Sequence, residues 1–206
     1  MVERNEIIHN CTNNSKIQSY KKSINDSKFT YEQIAMIMDF YITRNIACST
    51  ELAITLEQYG WNKQKNGSYD YKKIEEQLKE VASVEKFICV RAKTIKDTLN
   101  LMHLAGDNIC IEHPRIVLMQ DYNLTIDEFE QTKLESKESR IKCLFRHIRN
   151  SLAHGDTFFF DNGNLLLEDK DKSTITARIL INQQTLIDWI KVIDKEGKRY
   201  TIKSFK

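Results

Sequence analysis

The chain has 206 residues, with 31 Lys and Arg against 29 Asp and Glu, 41% hydrophobic residues, six glycines and one proline. That length fits one domain, or one domain with an extra helical arm, and proline far below its usual level of about 5% argues against a sandwich, a propeller or a loop-rich disulfide scaffold. A formal net charge of +2 gives no global attraction for nucleic acid, so any such contact has to be local.

Residues 1–28 are polar and rich in Asn, Ser and Lys, and read as a mobile arm or a weak first helix. The capping-box pattern Thr30-Tyr-Glu-Gln33 opens a firmer helix, behind which Ile34, Ile37, Met38, Tyr41 and Ile42 recur at helical spacing. A second helix over about 49–59 sets Leu52, Leu56 and Tyr59 on one face and stops at Gly60. After a solvated turn at Trp61–Ser68, a helical pattern runs from Asp70 through Ile74, Leu78, Val81, Ile88, Ala92, Ile95, Leu99 and Met102 to Gly106. It outruns an ordinary globular helix, so a break is expected near Ser83–Phe87.

Pro114 marks an irregular connector or a short helix through Arg115–Gln120. A second capping box, Thr125-Ile-Asp-Glu128, starts a short helix, and the next helix runs from about Ser136 to His154 with Gly155 as its stop. Then the period changes. Phe158–Phe160, Asp-Asn-Gly-Asn and Leu165–Leu167 signal a hairpin, because Asn-Gly supplies the positive φ of a tight turn. A third strand is expected at Ile175–Leu180, and a last helix at about Gln183–Asp194 carries Leu186, Trp189, Ile190 and Ile193. The organisation is thus a polar arm (1–28), a helical domain (29–195, hairpin at about 156–181) and a basic tail (196–206).

Five cysteines (Cys11, Cys48, Cys89, Cys110, Cys143) are odd in number and lack a C-x-x-C pair, which argues against a zinc ribbon and a disulfide framework. No apolar signal core opens the chain, and no stretch approaches a membrane span; a soluble, cytoplasmic protein with no membrane contact is expected. His9, His103 and His113 stand apart from cysteines in ligand spacing and read as ordinary histidines.

Chemistry concentrates in Ser136–His154. At about 100° per residue, Ile141, Leu144, Phe145, Ile148 and Leu152 cluster in one arc, and Arg146, His147, Arg149, Asn150 and His154 occupy the opposite one. No acidic residue lies between Lys142 and Gly155. The reading is an electropositive helical face ending in an imidazole, in which neighbouring arginines disfavour the protonated histidine. Neutral His can take a proton from a ribose 2′-hydroxyl, and Arg can hold a phosphodiester.

The string Phe145-Arg-His-Ile-Arg-Asn-Ser-Leu-Ala-His-Gly155 resembles the signature of the HEPN superfamily, an Arg and a downstream His near a helix end with a polar residue after the Arg. With its hairpin and closing helix, the stretch 125–195 looks like a plasmid- and mobile-element-associated prokaryotic branch. The resemblance implies a mainly α fold, a HEPN-like bundle with a small hairpin or three-stranded meander inserted after the motif helix. It also implies a metal-independent endoribonuclease that needs no cofactor, acting through a composite site between two copies in toxin–antitoxin or antiviral defence systems. In that scheme Arg149, Asn150 and His154 are catalytic, and Arg146 and His147 contact substrate. The partners implied are RNA, a second copy of the chain, and a cognate antitoxin or regulatory protein. The alternatives are a catalytically inactive HEPN module that binds RNA or protein, and a helix-turn-helix DNA-binding protein built on residues 31–59. The second helix of that unit offers Glu51, Thr55, Glu57 and Gln58, poor partners for phosphates.

Overall fold

A computed structural model describes residues 6–9, 16–22, 24–48, 51–91, 94–105, 108–126, 132–197 and 199–200. Strands β1 (Glu6–His9) and β2 (Lys16–Lys21) precede α1 (Tyr31–Ile37), which runs on into a π-helical turn at Met38–Thr43. Next come α2 (Tyr71–Ala82), β3 (Lys86–Val90), α3 (Ile95–Leu101), β4 (Leu104–Ala105), β5 (Asn108–Ile109) and β6 (Arg115–Met119). Strands β7 (Tyr122–Ile126) and β8 (Thr132–Ser136) form a separate ribbon, followed by α4 (Arg140–His154). The described chain continues with β9 (Thr157–Phe160), β10 (Asn164–Asp171), β11 (Thr174–Asn182) and α5 (Gln183–Ile193).

The main sheet has the order β3-β6-β11-β10-β9-β2 and continues through β1 and β5 to β4. Its long strands pair antiparallel, apart from β3, which lies parallel to β6 with Ile88 opposite Val117. Successive side chains on a strand point to opposite faces, and both faces here are covered. Phe159, Leu165, Leu167, Ile179 and Ile181 pack with α1, α2, α4 and α5. Phe158, Phe160, Leu166 and Leu180 pack with Ile95, Leu99 and Met102 around α3 and with Leu104 and Ile109 of β4 and β5. This explains the runs of three consecutive apolar residues: a strand buried on both sides has no need of polar alternation. On the helical side, Trp189 Nε1 donates to Leu78 O at 2.7 Å and Tyr41 OH to Leu186 O at 2.8 Å. Burial leaves both backbone acceptors satisfied.

The mainly α expectation is therefore corrected to a mixed α/β fold. The hairpin and third strand form where predicted, but β9, β10 and β11 are the middle of the sheet and not an insert on a bundle. The pattern over 70–106 is α2, then β3, then α3, so the predicted break lies next to a strand, and the next α-helix among the described residues begins at Ile95. Arg115–Met119 is strand β6, where a connector or short helix was expected. Residues 51–60 hold turns at 51–52 and 56–60 and no helix, which removes the second helix of a helix-turn-helix unit. The helix expected from Thr125 gives way to β7 up to Ile126; residues 127–131 lie outside those described.

Within the expected polar arm, β1 and β2 pair with each other and β2 pairs with β9. The start of the basic tail is held too: Arg199 N and Tyr200 N donate to Asp194, and Tyr200 OH donates to Asp39. Cys110 is disulfide-bonded, whereas Cys48, Cys89 and Cys143 are free thiols. Among the described residues, no helix is long and apolar enough to cross a membrane.

Candidate functional site

Helix α4 is closed at both ends by its own sequence. The Ser139 hydroxyl accepts from Lys142 N at 3.3 Å, supplying a partner for an otherwise orphan donor. At the other end Gly155 adopts φ 73°, and its N–H turns back to the carbonyls of the last turn; the left-handed backbone is what asks for glycine there. Ile141, Leu144, Phe145 and Ile148 enter the core as their spacing predicts. Cys143, His147 and Ser151 are buried as well. They stand four residues apart, on one side of the helix, where β6 and β10 cover them.

His147 is completely buried, not part of an exposed face. Its Nδ1 lies 2.7 Å from Asp169 Oδ2, and its Nε2 lies 2.8 Å from Met119 O. A carbonyl can only accept, so Nε2 carries a proton; Nδ1 faces a carboxylate, and the bond there needs a proton shared between the two groups. Asn150 donates to the same carboxylate oxygen at 3.1 Å. Burial pushes the Asp169 carboxyl up, but the hydrogen bonds from His147 and Asn150 outweigh it and hold the group below its usual value. The result is a sealed polar pin between α4 and β10.

Arg146 is neutralised. Its Nε lies 3.2 and 3.1 Å from the two Glu138 carboxylate oxygens, and its Nη2 reaches Glu138 at 2.5 Å and Met119 O at 3.2 Å. Asp121 stands 3.9 Å away. Burial works against the charges of both partners, yet the contact raises the Arg146 pKa and lowers that of Glu138. The predicted electropositive face thus receives its counter-charges from Glu138, Asp121 and Asp169, all outside the stretch that looked free of acid.

Arg149 differs. No carboxylate lies within 4 Å of it among the described residues; its Nη1 is 3.5 Å from Asn150 Oδ1, and its Nε is shut off from solvent without an acceptor. His154 is exposed at the helix end and makes no hydrogen bond or ion pair with Arg149 or Asn150. So Arg149, Asn150, His147 and Asp169 form one chain of contacts, Arg146 belongs to a separate ion pair, and His154 stands alone. Asp169 escaped the sequence reading, although strand alternation with Leu165 and Leu167 places it on the face that meets α4. A charged cleft of about 500 Å³ between α2 and the start of α4 is lined by Tyr71, Lys72, Glu75, Glu76, Lys79, Arg140 and Ile141. Its central carboxylate, Glu75, is already shared by Lys79 at 2.5 Å and Arg140 at 3.4 Å. Among the described residues, no group of three or more His, Cys, Asp and Glu could hold a metal ion.

Comparison with protein-family models, curated proteins and solved structures finds no match to this chain. The HEPN resemblance is accordingly corrected: no family model supports it, and the sheet-centred architecture is not the bundle it implies. The endoribonuclease reading falls with it. Its inactive-module variant rested on the same resemblance. The motif helix is real, but its histidine–arginine neighbours are used to fasten the helix to the sheet.

Proposed function

We propose that the chain is a binding domain whose outer α4 surface contacts a phosphate-bearing chain, RNA, with Arg149 as the anchor. The observation that carries this reading is the contrast on one helix: Arg146 is saturated by Glu138, whereas Arg149 has no carboxylate within 4 Å among the described residues. With its Nε shut off from solvent, the half-buried Arg149 meets a phosphate oxygen through its Nη end. Asn150 serves as a positioning residue, since its Nδ2 is fixed on Asp169 and its Oδ1 faces Arg149. Lys142 is exposed and also lacks a carboxylate within 4 Å among the described residues; two helical turns separate it from Arg149, about 10 Å along the axis. His154 adds a further donor at the helix end.

The test is fluorescence anisotropy with labelled single-stranded RNA over a range of salt. Arg149→Ala is expected to weaken binding about threefold to tenfold and to flatten the salt dependence by roughly 0.7 in log–log slope, the loss of one phosphate contact. Arg146→Ala should change RNA affinity little, because its guanidinium is already engaged. Absence of binding by the wild type at low salt, or equal binding by the Arg149→Ala variant with its fold intact by circular dichroism, overturns the proposal.

A further inference from the structure

The π-helical turn Met38–Thr43 is a rare backbone form, often found at functional sites, and the chain's own C-terminal segment lies on it. Asp39 and Phe40 of this turn, together with Tyr59, surround the side chain of Tyr200. Tyr200 OH donates to Asp39 Oδ2 at 2.9 Å, and its ring stands edge-on to Phe40 at 5.6 Å and nearly parallel to Tyr59 at 6.3 Å between centroids. The other Asp39 oxygen accepts from Arg44 Nε at 3.0 Å, which holds the carboxylate in place. The contacts that follow α5 bring the ring there. Lys195 N donates to Tyr59 O at 3.1 Å, Gly197 turns the chain with φ 61°, and Asp194 Oδ2 accepts from Arg199 N and Tyr200 N at 3.0 and 2.9 Å.

The fit is incomplete in one respect. Tyr59 is 1% exposed, yet its hydroxyl is closed off from solvent without a hydrogen bond of ordinary geometry. A buried hydroxyl left idle costs free energy, and burial keeps this one protonated by pushing it up to about 12. A phenol oxygen can donate and accept at once. Tyr200, anchored through its backbone to Asp194, gives its proton to Asp39 and leaves the Tyr59 donor without a well-formed bond. We infer that Asp39, Phe40 and Tyr59 form a binding socket for a small para-substituted phenol, and that Tyr200 is a tethered ligand that fills it. A free phenol sets its hydroxyl between Asp39 and Tyr59, donating to the carboxylate and accepting from the tyrosine, with its ring in the place of the Tyr200 ring. The para substituent takes the position from which Tyr200 carries its Cβ. The tether gives Tyr200 a local concentration of roughly millimolar order, so dilute phenol enters only when this segment is lifted. The segment after α5 thus gates the socket.

The experiment records thermal unfolding of the full chain, wild type and Tyr200→Ala, with 4-methylphenol or toluene. Tyr200→Ala is expected to melt about 4 °C or more below wild type, and 4-methylphenol at about ten times its dissociation constant to restore about 3 °C. Toluene has the ring but neither donates nor accepts, and should restore less than about a third of that. Wild type, its socket filled, should gain about 1 °C or less. Tyr59→Phe in the Tyr200→Ala background should weaken 4-methylphenol about threefold or more and leave toluene unchanged. If Tyr200→Ala does not fold, wild type decides: 4-methylphenol is expected to speed trypsin cleavage after Arg199 about twofold more than toluene at equal concentration. Equal effects of the two compounds in either assay, no response of folded Tyr200→Ala to 4-methylphenol, or a wild-type shift as large as that of the variant overturns the inference.

Discussion

Glu168 and Asp169 are neighbours in β10, yet they enter two different cores. Asp169 points to the helical side and meets His147 and Asn150 of α4. Glu168 points the other way and pairs with Arg178, its cross-strand partner on β11, while Arg178 also donates to Leu104 O of β4. Each face of the sheet thus carries a buried polar pin built on one of the two carboxylates, but the pins join different things. On the helical face the pin ties a helix to the sheet across the thicker core. On the opposite face it ties two adjacent strands to the short β4 strand under a cover built largely from α3. A strand buried on both sides can carry adjacent carboxylates only if each face supplies its own hydrogen-bonding partners.

The helical face should hold most of the stability, and truncating its largest side chain tests that directly. Trp189 is 1% exposed and caps the Leu78 carbonyl. Trp189→Ala is expected to cost about 3–5 kcal/mol in urea unfolding, whereas Leu99→Ala on α3 should fall near the lower end of its class, about 2–3 kcal/mol. The reverse ranking would break the comparison and make the α3 cover the dominant core.

The pin on the α3 side comes next in size. Glu168 and Arg178 side chains are each 7% exposed, and removing one partner leaves the other charge buried. Glu168→Gln is expected to cost about 3 kcal/mol, and the double change Glu168→Leu with Arg178→Met to recover most of it. Denaturation curves of the three variants check this. A double variant no more stable than Glu168→Gln would show that Arg178 is needed for Leu104, not for Glu168.

The same two-faced burial explains what was legible in the sequence. Thr30 and Gln33, Gly155, and Asn162-Gly163 act locally, and the capping box, the helix end and the hairpin lie where those residues predict. Lys86-Phe-Ile-Cys-Val90 does not declare itself, because Ile88 continues the helical spacing of α2 while the segment's partner, β6, is contributed by residues 115–119. Short apolar runs are ambiguous between buried helix and buried strand until the partner is known. The candidate site failed for the same reason at the level of charge. Counting acids along α4 finds none near Arg146 and His147, but Glu138, Asp121 and Asp169 arrive from the preceding loops and from β10. Periodicity locates His147 on a face; only the sheet decides whether that face meets water.

The smallest expected effect is a pH dependence confined to the carboxylates that fasten α4. Asp169 and Glu138 both fasten α4, and both titrate below the ordinary carboxylate range in the folded chain, their hydrogen bonds outweighing burial. Their contribution is therefore complete above the unfolded carboxylate values, near pH 4, and is lost as pH falls through the lower folded values. Asp169→Asn is expected to cost about 1–3 kcal/mol at neutral pH, since His147 Nδ1 loses its charged acceptor. It should also remove part of the acid-dependent loss, leaving the share due to Glu138. The check is thermal unfolding of wild type and Asp169→Asn at a series of pH values from 7 down to about 3. Converging melting temperatures at the acid end support a titrating pin on the helical face. A gap of constant size would mean that Asp169 acts through shape alone, and the acid sensitivity of the α4 contact would then rest on Glu138.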